Sequence, residues 1–196
     1  MQNTQKQDTV ARFQKVYTTM TQAVKMSELD NGPVETWEFV ADQHEQFLNK
    51  YLAPYLNIIK KCGLSESGCW TAGNKINRIN GSTISEATLA KAALNNGMFI
   101  AVEVQDNHTH FYIDIDGAKG SNRLGRDVFR FTLTPTPLNE TNYHKIDKPG
   151  FYPVGTGLDR DTIISAGPGC SKTSEGQTCG ALIVLDGWQI KDDYPW

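Results

Sequence analysis

The sequence predicts an α+β domain: a long N-terminal helix packed on a small antiparallel β-sheet, followed by a C-terminal region pinned by disulfides. Three observations carry this prediction. Val10, Phe13, Tyr17, Met20 and Val24 recur at steps of three and four and draw one apolar stripe along a helix. Residues 98–104 and 109–114 read as strands around the turn Asp106-Asn107-His108, and 128–134 alternates Phe129, Phe131 and Leu133 with Val128, Arg130 and Thr132. Four cysteines fall into two close pairs, Cys62 with Cys69 and Cys170 with Cys179. Helices first and strands after, without alternation, is the α+β order.

The first helix is expected over about 4–29, stopped by Asp30-Asn31-Gly32-Pro33. Its first two turns carry almost no apolar residue, so they read as a stub projecting from the body or as a frayed terminus. A second helical pattern spans 35–52, with Trp37, Val40, Ala41, His44, Phe47, Leu48 and Tyr51 on one side and Pro54 at its end. Residues 71–82 are polar and read as irregular. Ser85 is positioned as the N-cap of a short helix over 86–95, with Gly97 as its stop. Strands 98–104, 109–114 and 128–134 form a three-stranded meander closed by Pro135 and Pro137. Residues 135–170 read as loops, and the apolar run from Gly180 reads as a short helix packed on the sheet. One domain covers 1–196: a spine helix (1–30), a helical connection (31–97), the sheet (98–134) and a C-terminal loop region with its tail (135–196).

With 196 residues the chain is long enough for one core, and 39% hydrophobic content supplies it. A net charge of −3 gives no field pointing to nucleic acid or an anionic membrane, so neither is an expected partner on this ground. No stretch stays apolar for the roughly 18 residues of a membrane span, and no basic-then-apolar leader opens the chain. Each cysteine pair brackets a loop rich in Gly, Ser and Thr. Local pairing, Cys62–Cys69 and Cys170–Cys179, is the reading; a four-cysteine zinc site and free thiols are the alternatives. Six and eight intervening residues suit zinc knuckles poorly, because knuckles need two to four. Disulfides point to the periplasm or cell surface.

Candidate chemistry is sparse. Asp114, Asp116, Asn122 and Asp127 crowd one loop, and oxygen ligands on a turn suit calcium. The EF-hand pattern counted from Asp114 fails, however: Ala118 stands at the fifth position, Lys119 replaces the turn glycine, and Gly125 stands where a bidentate Glu belongs. Capping of loop N–H groups by the carboxylates is the simpler reading, so no cofactor is assigned, and calcium at Asp114, Asp116 and Asp127 stays a weaker candidate. His108 and His110 share one strand face and read as exposed strand residues rather than a metal pair. His44 reads as a hydrogen-bonded core histidine, and His144 sits in a loop without an identifiable partner. No nucleophile, metalloprotease or phosphate-loop motif occurs; Gly155-Thr156-Gly157 and Gly167-Pro168-Gly169 are turns. Trp188, Tyr194 and Trp196 form an aromatic tail expected to pack on the sheet. Nothing here reads as an enzyme.

Three stretches carry a family resemblance. The helix over 5–29 looks like the C-terminal half of a longer spine. Tyr112 to Phe131, with Asp114, Asp116, Gly117, Gly120, Asn122, Gly125, Asp127 and Phe129, is similar to a strand–loop–strand segment, and Cys179 to Trp196, with Asp186-Gly187-Trp188 and the terminal Tyr194-Pro195-Trp196, to a cysteine-containing tail. Together they resemble the globular part of type IV pilin-like proteins, the class that includes pilins and type II secretion pseudopilins. The resemblance implies a pilin-like fold and a structural subunit of a pilus or type II secretion filament. It implies a missing basic leader and an apolar helix of about 20 residues before Gln2. It also implies other subunits as partners, the inner membrane before assembly, and a periplasmic or cell-surface filament after it. The alternative class is an exported adhesin-like or ligand-binding module, calcium-stabilised if the acidic loop binds.

Overall fold

The computed structural model describes residues 2–64, 69–70, 75–85, 89–119 and 122–196. Helix α1, Gln2–Asn31, has 30 residues and reaches about 45 Å at 1.5 Å per residue. Phe13, Val16, Met20, Ala23 and Val24 are buried along it, with Val10 and Tyr17 half-buried beside them. The stripe is therefore wider than the predicted one, as a helix lying flat on a sheet requires. Residues 3–5 and 7–8 are exposed. The helix stops where Gly32 takes φ +79°, and the Asn31 amide turns back onto the Ser27 carbonyl at 3.2 Å.

The second predicted helix is largely absent. Val34–Thr36 forms a 3₁₀ turn, residues 37–43 are irregular, and one α-helical turn, α2 (His44–Phe47), runs into the π-helical Leu48–Leu52 and the 3₁₀ turn Ala53–Tyr55. The spacing of the aromatics is helical only at Phe47 and Tyr51; Trp37 joins them from an irregular segment. The Trp37 ring stacks on Tyr51 at 4.5 Å and 6°, Phe47 lies 5.0 Å from Tyr51, and the Tyr51 hydroxyl accepts from the Glu38 N–H at 2.9 Å. Side-chain packing holds 37–40 out of a helix where local spacing favours one.

The sheet has six strands among the described residues, all antiparallel, in the order β1 (Ile58–Gly63), β4 (Ala90–Leu94), β5 (Phe99–Val104), β6 (Thr109–Asp114), β7 (Val128–Thr134) and β10 (Gly150–Pro153). Two short hairpins accompany it: β2 (Lys75–Asn77) with β3 (Thr83–Ser85), and β8 (Leu138–Glu140) with β9 (His144–Ile146). Helix α3 (Arg160–Ser165), capped by Asp159, and helix α4 (Cys179–Leu185) complete the C-terminal region.

This architecture corrects the small three-stranded sheet and the pilin-like fold expected from the sequence: the class is mixed α/β, with a six-stranded sheet. The meander β5–β6–β7 is present, but β1 and β4 extend it on one side and β10 on the other. The predicted helix over 86–95 falls partly outside the described residues, at 86–88, and its remainder is the inner strand β4. All of β4 is buried, and its alanines, good helix formers in isolation, are held by pairing on both edges. Both edges of the sheet are polar or broken. β1 carries the exposed Lys60 and Lys61 and two register irregularities against β4, and β10 ends in Pro153.

One sheet face packs on α1. Ile100, Val102, Phe111, Ile113, Phe129, Phe131 and Leu133 meet Phe13, Val16 and Met20 there, and Phe13 is centred 4.7 Å from Phe129 and 5.5 Å from Phe131. The other face divides. One half is a second apolar cluster of Ile76, Leu89, Phe99, Ala101, Leu124 and Val128, closed by Trp70 and the Cys62–Cys69 disulfide. The other half is polar and lies beside the β8–β9 hairpin. The second disulfide, Cys170–Cys179, is buried where α4 begins. Among the described residues no helix is long and apolar enough to cross a membrane.

Phe13 has no exposed surface. Phe13→Ala is expected to cost about 3–5 kcal/mol, the cost of emptying a packed aromatic site. Denaturant unfolding of the variant should show a lower midpoint at unchanged m-value. Replacing Cys170 and Cys179 together by Ser is expected to cost about 2–3 kcal/mol by release of the loop constraint, read as a drop in melting temperature that reducing agent does not deepen through this pair.

Candidate functional site

Strand β6 ends at Asp114, which has no exposed surface. Its Oδ1 accepts from the backbone N–H of Asp116 at 3.1 Å and of Gly117 at 2.8 Å. Gly117 has φ +67°, and a Cβ there would run into the Gly97 carbonyl, so the turn requires glycine. The Asp127 carbonyl accepts from the Ile115 N–H at 2.8 Å, and its Oδ2 accepts from the Arg123 N–H at 3.4 Å. The carboxylates thus cap the loop joining β6 to β7.

Burial, and then the hydrogen bond and charge of Asp116, push the Asp114 carboxyl up to about 8. Burial also raises Asp116 and Asp127. Asp114 is therefore the protonated partner at neutral pH and donates to the Asp116 carboxylate. Arg12, Lys119 and Arg126 already surround that carboxylate with positive charge, and Arg12 also pairs with Asp8 at 2.9 Å. The chemistry on view is a proton shared by two carboxyls and capped by backbone. Among the described residues no group of three or more His, Cys, Asp or Glu side chains is placed to hold a metal ion.

The C-terminal tail closes over this loop. The Tyr194 hydroxyl donates to the Gly125 carbonyl, Arg126 stacks on the Trp196 ring at 5.4 Å, and a Cβ on Gly125 would meet the Cys179 sulfur at 2.7 Å. Trp188 lies on α1, 5.9 Å from Phe13 and 6.0 Å from Tyr17, so the aromatic tail packs on the helix and the β6–β7 loop, not directly on the sheet as expected. Arg160 ties the tail down with paired 2.9 Å hydrogen bonds to Asp186 and further ones to Asp193 at 2.8 and 3.0 Å. A surface groove runs between α1 and the tail, lined by Lys6, Val10 and Gln14 on the helix and Trp188 and Ile190 opposite.

The histidines depart from expectation. His108 and His110 are buried rather than exposed, because the β8–β9 hairpin brings Tyr143 and His144 against this face of the sheet. Their Nε2 atoms lie 2.9 Å apart, and His108 Nδ1 is 2.6 Å from Asn107 Oδ1. His144 belongs to β9 rather than a loop and has no exposed surface; its ring is 6.0 Å from His110, and its Nε2 is 3.4 Å from a Glu140 carboxylate oxygen. His44 accepts from the Val104 N–H at 3.0 Å and anchors the end of β5.

The residue that organises this cluster, Arg130, escaped the sequence reading. It is buried in mid-strand between the rings of Tyr112 (5.3 Å) and Tyr143 (5.9 Å), donates to the Gln177 side-chain oxygen, and faces Glu103 at 3.8 Å. Its one signal was an arginine on the alternate face of a strand, a pattern that equally describes a solvated face. Burial first, then the charge of Arg130, holds His110 well below the usual imidazole range and brings His144 down to about 3. Burial also lowers His108.

Asp114→Asn keeps the acceptor for Asp116 and Gly117 and supplies an N–H in place of the acid proton. The folded wild type keeps its Asp114 proton up to about pH 8, whereas the unfolded chain loses it near 3.8. Between those values the folded state holds the extra proton, so this group's contribution falls as pH rises. The Asn variant should be close to wild type at acidic pH and gain on it towards pH 8, whereas Asp114→Ala should lose about 1–3 kcal/mol throughout by orphaning two buried N–H groups. Thermal melts across that range, with calcium and with chelator, check both points; turn capping predicts melts indifferent to the ion.

No curated protein and no solved structure matches this chain. One family profile does, over residues 1–196, and its description is a family of unknown function, DUF6613. The chain belongs to that family.

Proposed function

We propose that the protein is an extracytoplasmic structural subunit that assembles with other subunits into a filament of the type IV pilus or type II secretion kind, joined through the N-terminal end of α1. The reading concerns assembly and does not depend on a pilin-like fold. The observation that carries it is a convergence. The segments whose sequences resemble pilin-like proteins, 112–131 and 179–196, pack on each other through Tyr194, Gly125, Arg126 and Trp196. Both also pack on α1 through Phe13, which meets Phe129, Trp188 and the backbone of Gly180. Three stretches far apart in the chain thus form one unit around the helix that would lead to the membrane. The two disulfides favour an oxidising compartment outside the cytoplasm.

The full-length gene product, expressed in its source organism, is expected to fractionate with the inner membrane before assembly. It should then enter a sheared surface or periplasmic fraction that yields a ladder of cross-linked multimers. The coding sequence before Gln2 should specify a basic leader and an apolar segment of about 20 residues. Residues 1–196 alone should be monomeric at micromolar concentration by sedimentation, because the apolar stripe of α1 is used against its own sheet. A cleavable secretory signal with no retained apolar helix, and no ladder, would overturn the proposal.

A further inference from the structure

The polar half of the sheet gathers a second group of titratable side chains, apart from the acidic loop. The register sets Glu103 opposite His110 and Tyr112 opposite Arg130, so β5, β6 and β7 each bring an ionisable group to one patch. His108, just before β6, adds a second imidazole, and the hairpin adds Glu140, Tyr143 and His144. From the C-terminal side Gln177 bonds Arg130 and in turn donates to Glu175, which pairs with Arg78 at 3.3 Å. With all three histidines neutral, Arg130 and Arg78 are the cations of the patch, and Glu103, Glu140 and Glu175 its carboxylates. With all three protonated, five positive charges would face those three carboxylates, which are themselves partly exposed and so screened.

The hairpin is the element free to yield. β8 and β9 pair with each other and with no strand of the main sheet. Two backbone hydrogen bonds tie them to the neighbouring turn, Gly155 N–H to the Tyr143 carbonyl at 2.7 Å and Lys145 N–H to the Thr156 carbonyl at 2.9 Å. Leu138 and Ile146 supply their buried apolar contacts. By contrast β6 and β7 are paired along their whole length and packed on α1.

We propose that the β8–β9 hairpin is an acid-released lid: proton uptake by His108, His110 and His144 beside Arg130 frees residues 138–146 while the α1–sheet core stays folded. The sign follows from the neutral histidines of the closed state. The unfolded or opened segment takes up protons below the ordinary imidazole value of 6.5, the closed state resists them, and closure weakens as pH falls through that value. This inference stands apart from the assembly proposed above and is tested on the 196-residue chain alone.

The experiment is hydrogen exchange followed by mass spectrometry at about pH 7.5 and about pH 5, with rates corrected for intrinsic chemistry. Protection in 138–146 is expected to fall by at least about tenfold at the lower pH, while 109–114 and 128–134 keep theirs. His144→Phe places an uncharged ring where neither nitrogen has a hydrogen-bond partner, and His110→Gln removes a second proton site; each should cut the acid-induced loss of protection. The Asp114→Asn background removes the opposing pH slope of the acidic loop. Equal protection of 138–146 at both pH values would overturn the proposal, as would loss shared equally by 109–114 and 128–134. An acid response undiminished in both histidine variants would overturn it too.

Discussion

Everything in this molecule is arranged around the contact between α1 and one face of the antiparallel sheet. Phe13 sits at its centre, in touch with β7 through Phe129 and Phe131, with the tail through Trp188, and with α4 through Gly180. At Gly180 a Cβ would stand 3.1 Å from the Phe13 ring, so the first turn of α4 can approach the helix because that position is bare. The Cys170–Cys179 bridge then fixes the start of α4 relative to α3. Helix, sheet and C-terminal region are therefore one cooperative unit, in which dispersion and apolar burial supply the cohesion.

The two faces of the sheet contrast in chemistry. The α1 face is mainly apolar, with the buried Thr109 at one end of β6. The opposite face is apolar only where β2–β3 and the Cys62–Cys69 bridge cover it; beyond Tyr112 it changes to Arg130, Glu103 and histidine. Arg130 is buried, yet its charge is met by two aromatic faces, an amide and a carboxylate, which together offset the desolvation of a guanidinium. Neutral histidines fill the remaining space without adding charge. The acidic loop at the other end of β6 uses the same device with the opposite sign: one carboxyl keeps its proton so that its neighbour can be ionised.

What was legible in the sequence was what local pattern decides. The stripe from Val10 to Val24 gave α1, apolar runs flanking a turn gave β5 and β6, alternation gave β7, and close cysteine spacing gave both bridges. The failures share a cause. Ala90–Leu94 is a strand because β1 and β5 flank it, and no local signal separates a buried alanine-rich strand from a helix. Trp37, Phe47 and Tyr51 are spaced for a helix yet stack across an irregular segment. β10 was hidden by Pro153, which an edge strand tolerates. The acidic loop was legible as turn capping because Asx chemistry is short-range, whereas the histidine cluster was invisible because its burial depends on a hairpin some 30 residues away in the chain.

The outer strands of the sheet carry a consequence for how copies of this protein can meet. β1 presents Lys60 and Lys61 and loses register twice, and β10 terminates in an imide nitrogen with no hydrogen to donate. These features disfavour main-chain pairing at both margins, although Ile59 is exposed on β1. Contact between molecules is then favoured through side chains on the helix and loop surfaces rather than through the main chain. The same features work against cross-β growth between copies of the chain.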